Sequence, residues 1–324
     1  MKRLAYFLPF LGCSRRCLYC DQRAITADAR GADDEAVSPG RIESELSQQR
    51  EPVELCFFGG SFARLEHRDF VRYLDCIRHA PTGSRITFSS YPGDFEGLEG
   101  RMRIGLLGAY PVGTIELGVP SLDPDVLRAC GRSEDPRSIL GSLVRLKEAS
   151  FHLGVQIMTG LPEQSEKSVR SDLHRLSMLM EPEDEWDLRI YPCLVLQGTG
   201  LERLFRGGGY LPPSLENAVR LAGGLISLAE SLGFRVIRVG LPESAALRRA
   251  VVAGPYHPAF GELALAERTV LEMVGSKPKG PWRIEKKKLS HLTGHGRRGI
   301  ARLAELTRLD SSEVERRLTI DTGP

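Results

Sequence analysis

Seven short apolar runs recur along the chain, each bounded by polar or turn-forming residues: Leu4–Phe10, Val53–Phe58, Arg85–Ser89, Thr114–Val119, Leu153–Met158, Leu188–Tyr191 and Phe234–Val239. Stretches of helical periodicity lie between them, at Arg41–Gln49, His67–His79, Asp123–Ala129, Pro136–Ala149, Glu166–Leu179 and Leu215–Leu232. Strand then helix, repeated about six times, predicts a parallel sheet, because each crossover needs a helix to return the chain. Six such units fall short of a closed eight-fold barrel. The expected fold is α/β, a partial (β/α)6 TIM-like barrel, with function on the loops at the C-terminal ends of its strands. Residues 26–40 read as a polar surface loop, and Arg206 to Pro213 as a turn closing the core. From about residue 241 the pattern changes, and a basic, helical tail follows, with an exposed helix expected at its end over Glu313 to Leu318.

Composition narrows the class only slightly. The 324 residues are 41% hydrophobic and 27% charged, ordinary for a soluble globular enzyme, and the net charge of +2 makes any polyanion-binding patch local. Seven cysteines, an odd number without paired spacing, point to reduced thiols in a cytosolic compartment. No run of about 18 apolar residues predicts a membrane span.

The densest chemistry lies in Cys13-Ser14-Arg15-Arg16-Cys17-Leu18-Tyr19-Cys20, on the loop after the first apolar run. Three soft thiolates on one short loop can converge on one metal centre, and three protein ligands leave one iron of a four-iron cluster open for chemistry. Two other readings address the same residues. Structural zinc would want a fourth ligand, and the next histidine is His67. A lipoprotein signal would use Met1-Lys2-Arg3, the apolar run and Cys13, but leaves Cys17 and Cys20 without a purpose.

Three further stretches end strands, and a fourth candidate follows a helix. Gly59-Gly60-Ser61 offers close backbone approach to a ligand. Glu116 lies in an apolar run, where a carboxylate needs a cation or an open mouth. Arg132 follows a short helix and has the fork to clamp a carboxylate. Tyr191 closes the sixth run, at the expected mouth. Between Lys277 and Arg302 nine Lys or Arg stand with one acid, Glu285. Gly294-His-Gly-Arg-Arg-Gly299 then Ile300 is a glycine loop opening a helix, similar to the arrangement by which KH modules grip RNA backbone.

With an aromatic directly before the third cysteine, the motif resembles that of the radical S-adenosylmethionine (SAM) enzymes. The resemblance implies a 4Fe–4S cluster on Cys13, Cys17 and Cys20, with SAM on the open iron, cleaved by one electron to a 5′-deoxyadenosyl radical. It implies Tyr19 and Met158 against adenine, Gln156 against ribose, and Gly59, Gly60 and Ser61 at the SAM amino group, although many members have Glu where this chain has Ser61. Arg132 would approach the SAM carboxylate. Glu116 is a further cofactor contact, and Glu116 and Tyr191 are the candidates for catalytic groups. Relatives commonly carry Gln where this chain has Pro120, so no side-chain contact is expected there. Electrons would come from a flavodoxin- or ferredoxin-type reductant.

Within that superfamily, Glu116-Leu-Gly-Val119, Arg189-Ile-Tyr-Pro192, Leu194-Val-Leu196, Gly198-Thr-Gly-Leu201, Val236-Ile-Arg-Val239 and Gly254-Pro-Tyr-His-Pro-Ala-Phe-Gly-Glu262 resemble the radical SAM part of the Elongator catalytic subunit and its short bacterial relatives. Two features depart. Elongator subunits have a longer gap between the first two cysteines, and their acetyltransferase domain has no counterpart in these residues. The implied organisation is a partial barrel over 1–240, an extension packing on it over 241–275, and the basic helical tail over 276–324, a possible RNA contact. Two alternatives stay open: a coproporphyrinogen-oxidase-like tetrapyrrole enzyme or haem chaperone, and a non-catalytic RNA-binding protein with a structural cluster.

Overall fold

The computed structural model describes residues 1–14, 16–26 and 37–321, so most of the loop expected at 26–40 lies outside the described residues. Strands β1 (Lys2–Leu8), β2 (Val53–Gly59), β3 (Arg85–Ser90), β4 (Val112–Gly118), β5 (His152–Thr159) and β6 (Asp187–Pro192) pair in sequence order. β8 (Arg235–Val239) adds beside β6, with the two-residue β7 (Val195–Leu196) lying outside this sheet. Every pairing in the sheet is parallel. The partial barrel is thus the architecture observed, as a curled half-barrel of seven strands rather than six.

Strand alternation separates two faces. One phase is buried: Leu4, Tyr6 and Leu8 on β1, Leu55 and Phe57 on β2, Ile86 and Phe88 on β3, Ile115 and Leu117 on β4, Leu188 and Ile190 on β6. These pack in one core with helical residues such as Ile42 and Leu46 of α2 (Pro39–Ser47), Phe70 of α3 (His67–Asp75), Leu143 of α6 (Pro136–Glu148), Leu173 of α7 (Glu166–Ser177) and Leu225 of α9 (Leu215–Ser231). Removing each such side chain from water is worth about 1.5–3 kcal/mol, and this layer holds the sheet curled. The other phase carries Glu54, Cys56, Phe58, Thr87, Glu116, Gln156, Met158, Arg189 and Tyr191 on the concave side.

Two of the longer helices, along with several short ones, escape the sequence pattern. α4 (Gly97–Leu107) joins β3 to β4, and its three glycines, each costing about 1 kcal/mol against alanine, blur the signal. α11 (Phe260–Ser276) packs on α9 and buries eight of its residues, apolar almost all round. The short helices are α1 (Gln22–Thr26), α5 (Pro124–Ala129), α8 (Gly200–Arg206) and α10 (Ala245–Ala250). β9 (Val251–Ala253) pairs antiparallel with β7.

The tail is more than helical. β10 (Trp282–Glu285) pairs in parallel with β11 (Leu318–Asp321) around α12 (Leu289–Thr307) and α13 (Ser311–Arg316). Trp282, Ile284, Leu292, Ile300, Leu303 and Val314 form a second core with Val270 and Met273 of α11. The exposed helix expected at Glu313 to Leu318 is found in part, as α13, but its bounds and one residue differ. Val314 is fully buried, and Leu318 begins a strand because it pairs with Trp282. α12 is broken at Gly294–Arg297, where His295, Gly296 and Arg297 have positive φ. Among the described residues no helix is long and apolar enough to cross a membrane.

Candidate metal and cofactor site

The thiol loop is shaped by backbone before any side chain acts. After β1 the amide of Leu11 donates to Leu8 (3.1 Å) and that of Cys13 to Phe10 (3.0 Å), with Phe10 and Gly12 at positive φ. The loop after β2 locks into it, with the Ser61 amide on Leu11 O (2.8 Å) and the Gly60 amide on Leu8 O (2.9 Å). A Cβ on Gly60 would stand 1.9 Å from Leu11 O, and one on Gly12 would stand 2.2 Å from Ser61 O. Glycine is therefore required on both sides of this seam. The second half of the loop is held from elsewhere. Leu18 donates to Cys130 O at the end of α5 (3.0 Å), and Leu201 of α8 donates to Leu18 O (2.8 Å).

This scaffold brings Cys13, Cys17 and Cys20 into electrostatic range of one another. Burial first, then Cys17 and Cys13, push the Cys20 thiol up to about 12, and burial also raises Cys13. A cationic centre would relieve that repulsion. Cys56, Cys76, Cys130 and Cys193 are buried as small residues, with Cys130 near enough to Cys17 for that thiol to act on it. Tyr19 and Met158 meet in one apolar cluster with Leu18, Cys130, Leu161 and Cys193.

The remaining expected residues fall into two groups. Arg132 is buried, lies 4.6 Å over the Tyr91 ring, and gives Nη2 to Glu134 (2.6 Å) and to Gly118 O (3.1 Å). Against burial, Tyr19, Cys17 and Glu134 raise its basicity, so it is a fixed cation beside the thiols. Its fork is largely committed inside the protein, leaving Nη1 outside these bonds. Ser61 is equally engaged, donating to Asp94 and accepting from the Tyr91 amide (2.9 Å). Burial pushes the Asp94 carboxyl up to about 6, against the Ser61 hydroxyl, the Tyr91 amide and Arg64.

On the concave wall Glu116 meets Arg189 through two bonds, one of them Nε to Oε2 at 2.8 Å, and Arg189 lies 5.9 Å over Phe58. The cation that a carboxylate in an apolar run demands is thus Arg189. Gln156 lies beside Gly118 in register, its carbonyl accepting from the Val119 amide (3.0 Å). Tyr191 stands in register with Met158, its phenol raised by burial. Asp94, Tyr91, Glu134 and Arg189 escape the sequence reading. Only the Pro-Gly-Asp turn at 92–94, directly after a strand, signals any of them.

The segment Gly254–Gly261 bridges this end of the barrel to the tail. Gly254 comes close against Cys193 O and Leu194, while the rings of His257 and His295 meet edge to face at 5.7 Å. His295 Nε2 lies 2.7 Å from Glu262. The tail's glycine turn therefore sits on the chain that leaves the barrel. A cavity of about 660 Å³ lies elsewhere, between the loop after β5 and α9, lined by residues including Gln164, Arg170, Tyr210, Arg220 and Arg302.

Comparison with known proteins gives the chain a family. The profile of the radical SAM superfamily matches residues 7–176, and that of the radical SAM C-terminal domain matches residues 186–271. Elongator complex protein 3 of Homo sapiens is 30% identical over 247 residues, 70% of this chain and 44% of that protein. The tRNA uridine(34) acetyltransferase of Methanocaldococcus jannaschii is 26% identical over 247 residues, 69% of this chain and 44% of that protein. The chain spans about half the length of the curated relatives it matches. The solved archaeal Methanocaldococcus infernus Elp3 superposes with a TM-score of 0.58 at 20% identity, covering 85% of this chain and 63% of that one, a likeness of fold. With a matched profile over half its length, the chain belongs to the radical SAM superfamily, enzymes that use a 4Fe–4S cluster and SAM.

Proposed function

We propose that Cys13, Cys17 and Cys20 hold the cluster, that SAM lies across the strand ends beside Tyr19, Gly59, Gly60, Gln156 and Met158, and that the substrate is an RNA, a tRNA in particular. The observation that carries the cofactor reading is the thiol loop. Three thiols on one short loop are the ligand number that suits a cluster with one open iron, and the loop is held from three sides by the Leu11, Cys130 and Leu201 bonds. When bound, the cluster and SAM supply a 5′-deoxyadenosyl radical that takes hydrogen from the substrate. The chain's own residues orient and exclude. Met158 and Tyr19 offer an apolar wall for an adenine ring. Arg132 brings positive charge to the thiol loop, and the Glu116–Arg189 pair keeps the wall beneath polar yet nearly neutral.

The RNA reading rests on two supports. One is the likeness to a protein named for tRNA uridine(34). The other is the tail. Of its nine cations, Lys277, Lys279, Arg283, Lys286 and Arg298 have no acidic partner within ion-pair distance among the described residues. Such a surface neutralises phosphates, and it is joined to the barrel end through His257 and His295.

The test is anaerobic. The protein is reconstituted with iron and sulfide, given dithionite and SAM, and assayed for 5′-deoxyadenosine with and without bulk tRNA. The expected product rises with tRNA and vanishes in Cys17→Ala. Product indifferent to tRNA would overturn the RNA reading and keep the radical chemistry. No product from a fully loaded cluster would overturn both.

A further inference from the structure

The concave wall contains one charge that the fold leaves unanswered. Near the N-terminal rim, Arg3 meets Glu54 at 2.5 Å, with Arg85 on the same carboxylate at 3.9 Å. Arg235 meets Asp187 at 2.6 Å, and His152 meets it at 3.4 Å. Deeper in, both Glu116 oxygens take the fork of Arg189. Arg238 breaks the rule. An irregularity in the β6–β8 pairing places it in register with Arg189 and hence on the same face, yet among the described residues no carboxylate lies within ion-pair distance of it. It is exposed, β8 is the last strand of the sheet, and its charge is one of those acting on the Tyr191 phenol.

Of two guanidinium groups at neighbouring register positions, Glu116 answers only that of Arg189, which leaves one net positive charge at the open edge of the wall. Like charges paired across strands cost stability, so the arrangement is one that an incoming anion improves. A planar fork is suited to bidentate contact with an oxyanion. We propose that Arg238 is the receptor for an oxyanion of the substrate, a phosphate or carboxylate group that anchors it beside Tyr191. This rests on the reading that the substrate enters the half-barrel. It adds a substrate requirement, namely that a neutral analogue lacking the anion binds poorly.

Holoenzyme reconstituted anaerobically and supplied with SAM is titrated calorimetrically with uridine 5′-monophosphate, uridine and coproporphyrin III, the last a tetracarboxylate. Wild type, Arg238→Ala and Arg238→Lys are compared, with visible cluster absorption and circular dichroism as controls for folding. The expected result is affinity for the monophosphate that falls by roughly tenfold or more in Arg238→Ala and is partly kept in Arg238→Lys, while uridine does not distinguish the variants. The same dependence with coproporphyrin III alone supports the receptor and assigns the anion to a carboxylate. Equal affinity of wild type and Arg238→Ala for both anions, or no binding of either by wild type, overturns the proposal. Failure of SAM cleavage with Arg238-dependent binding intact would instead count against the proposed enzyme reaction alone.

Discussion

Leu18 and Cys130 are joined backbone to backbone, amide to carbonyl at 3.0 Å, so the residue directly after the second thiol is fixed by the end of α5. The thiol loop is a shared product of β1, the loop after β2, α5 and α8. Its geometry depends on backbone contacts rather than on the three thiols themselves.

The seam between the Gly12 and Gly60 loops offers the sharpest test of that dependence. Gly60→Ala sets a methyl 1.9 Å from a carbonyl oxygen, which only backbone displacement can relieve. The expected cost is at least about 2 kcal/mol in apoprotein stability, with a loss of bound iron after reconstitution. Gly40→Ala in α2, where a Cβ meets nothing within 4 Å, serves as the matched control and should be neutral or slightly stabilising. Iron content and urea denaturation read both effects.

Removing one member of the buried Glu116–Arg189 pair strands the other. Glu116→Ala or Arg189→Ala should cost about 3–5 kcal/mol, because an uncompensated charge stays in the wall. The double variant Glu116→Leu/Arg189→Met should cost clearly less than the sum. Additive losses in a double-mutant cycle would show that the two side chains act independently.

Asp94 carries a pH signature. Its folded-state value, near 6, lies above the ordinary 3.8, so the native state holds its proton more tightly than the unfolded chain does. The corresponding stability is fully present below about pH 4 and is lost as pH rises through 6, at most about 3 kcal/mol. Asp94→Asn keeps an acceptor for Ser61 and should gain on wild type between pH 4 and pH 7. A pH-independent difference between the two apoproteins would show that the carboxyl is not shifted.

Trp282 is the keystone of the tail's core, buried, with its indole N–H shared between Met273 O (3.1 Å) and Lys277 O (2.7 Å). Trp282→Ala should cost the tail about 3–5 kcal/mol. Hydrogen exchange would then accelerate across β10, α12, α13 and β11 while β1 to β6 keep their protection. If RNA binds there, Arg298→Ala should lower the slope of log affinity against log salt by about 1.

What could be read in the chain was local. The thiol motif and the strands are short-range patterns, and the apolar runs at 53–58 or 153–158 align closely with β2 and β5. α4 was hidden because its glycines dilute the helical period, and α11 because it is apolar nearly all round and so lacks a clear stripe. The partners of the site were hidden for another reason. Arg189 is 73 residues from Glu116, and Asp94 is 33 from Ser61. Neither side chain announces its mate, and the placement of Arg238 depends on a one-residue irregularity in strand pairing that periodicity cannot foretell.

The two bonds of Leu18 also set an order of events during biosynthesis. Its partners are residues 130 and 201, so a ribosome has delivered most of the chain before the thiol loop can take its final shape. Until then the loop lacks both of the bonds that hold its second half. The loop therefore takes its full shape only in a chain that already includes β1 to β6 and α8, and a fragment ending before α8 carries the motif without the Leu201 bond that helps to fix it.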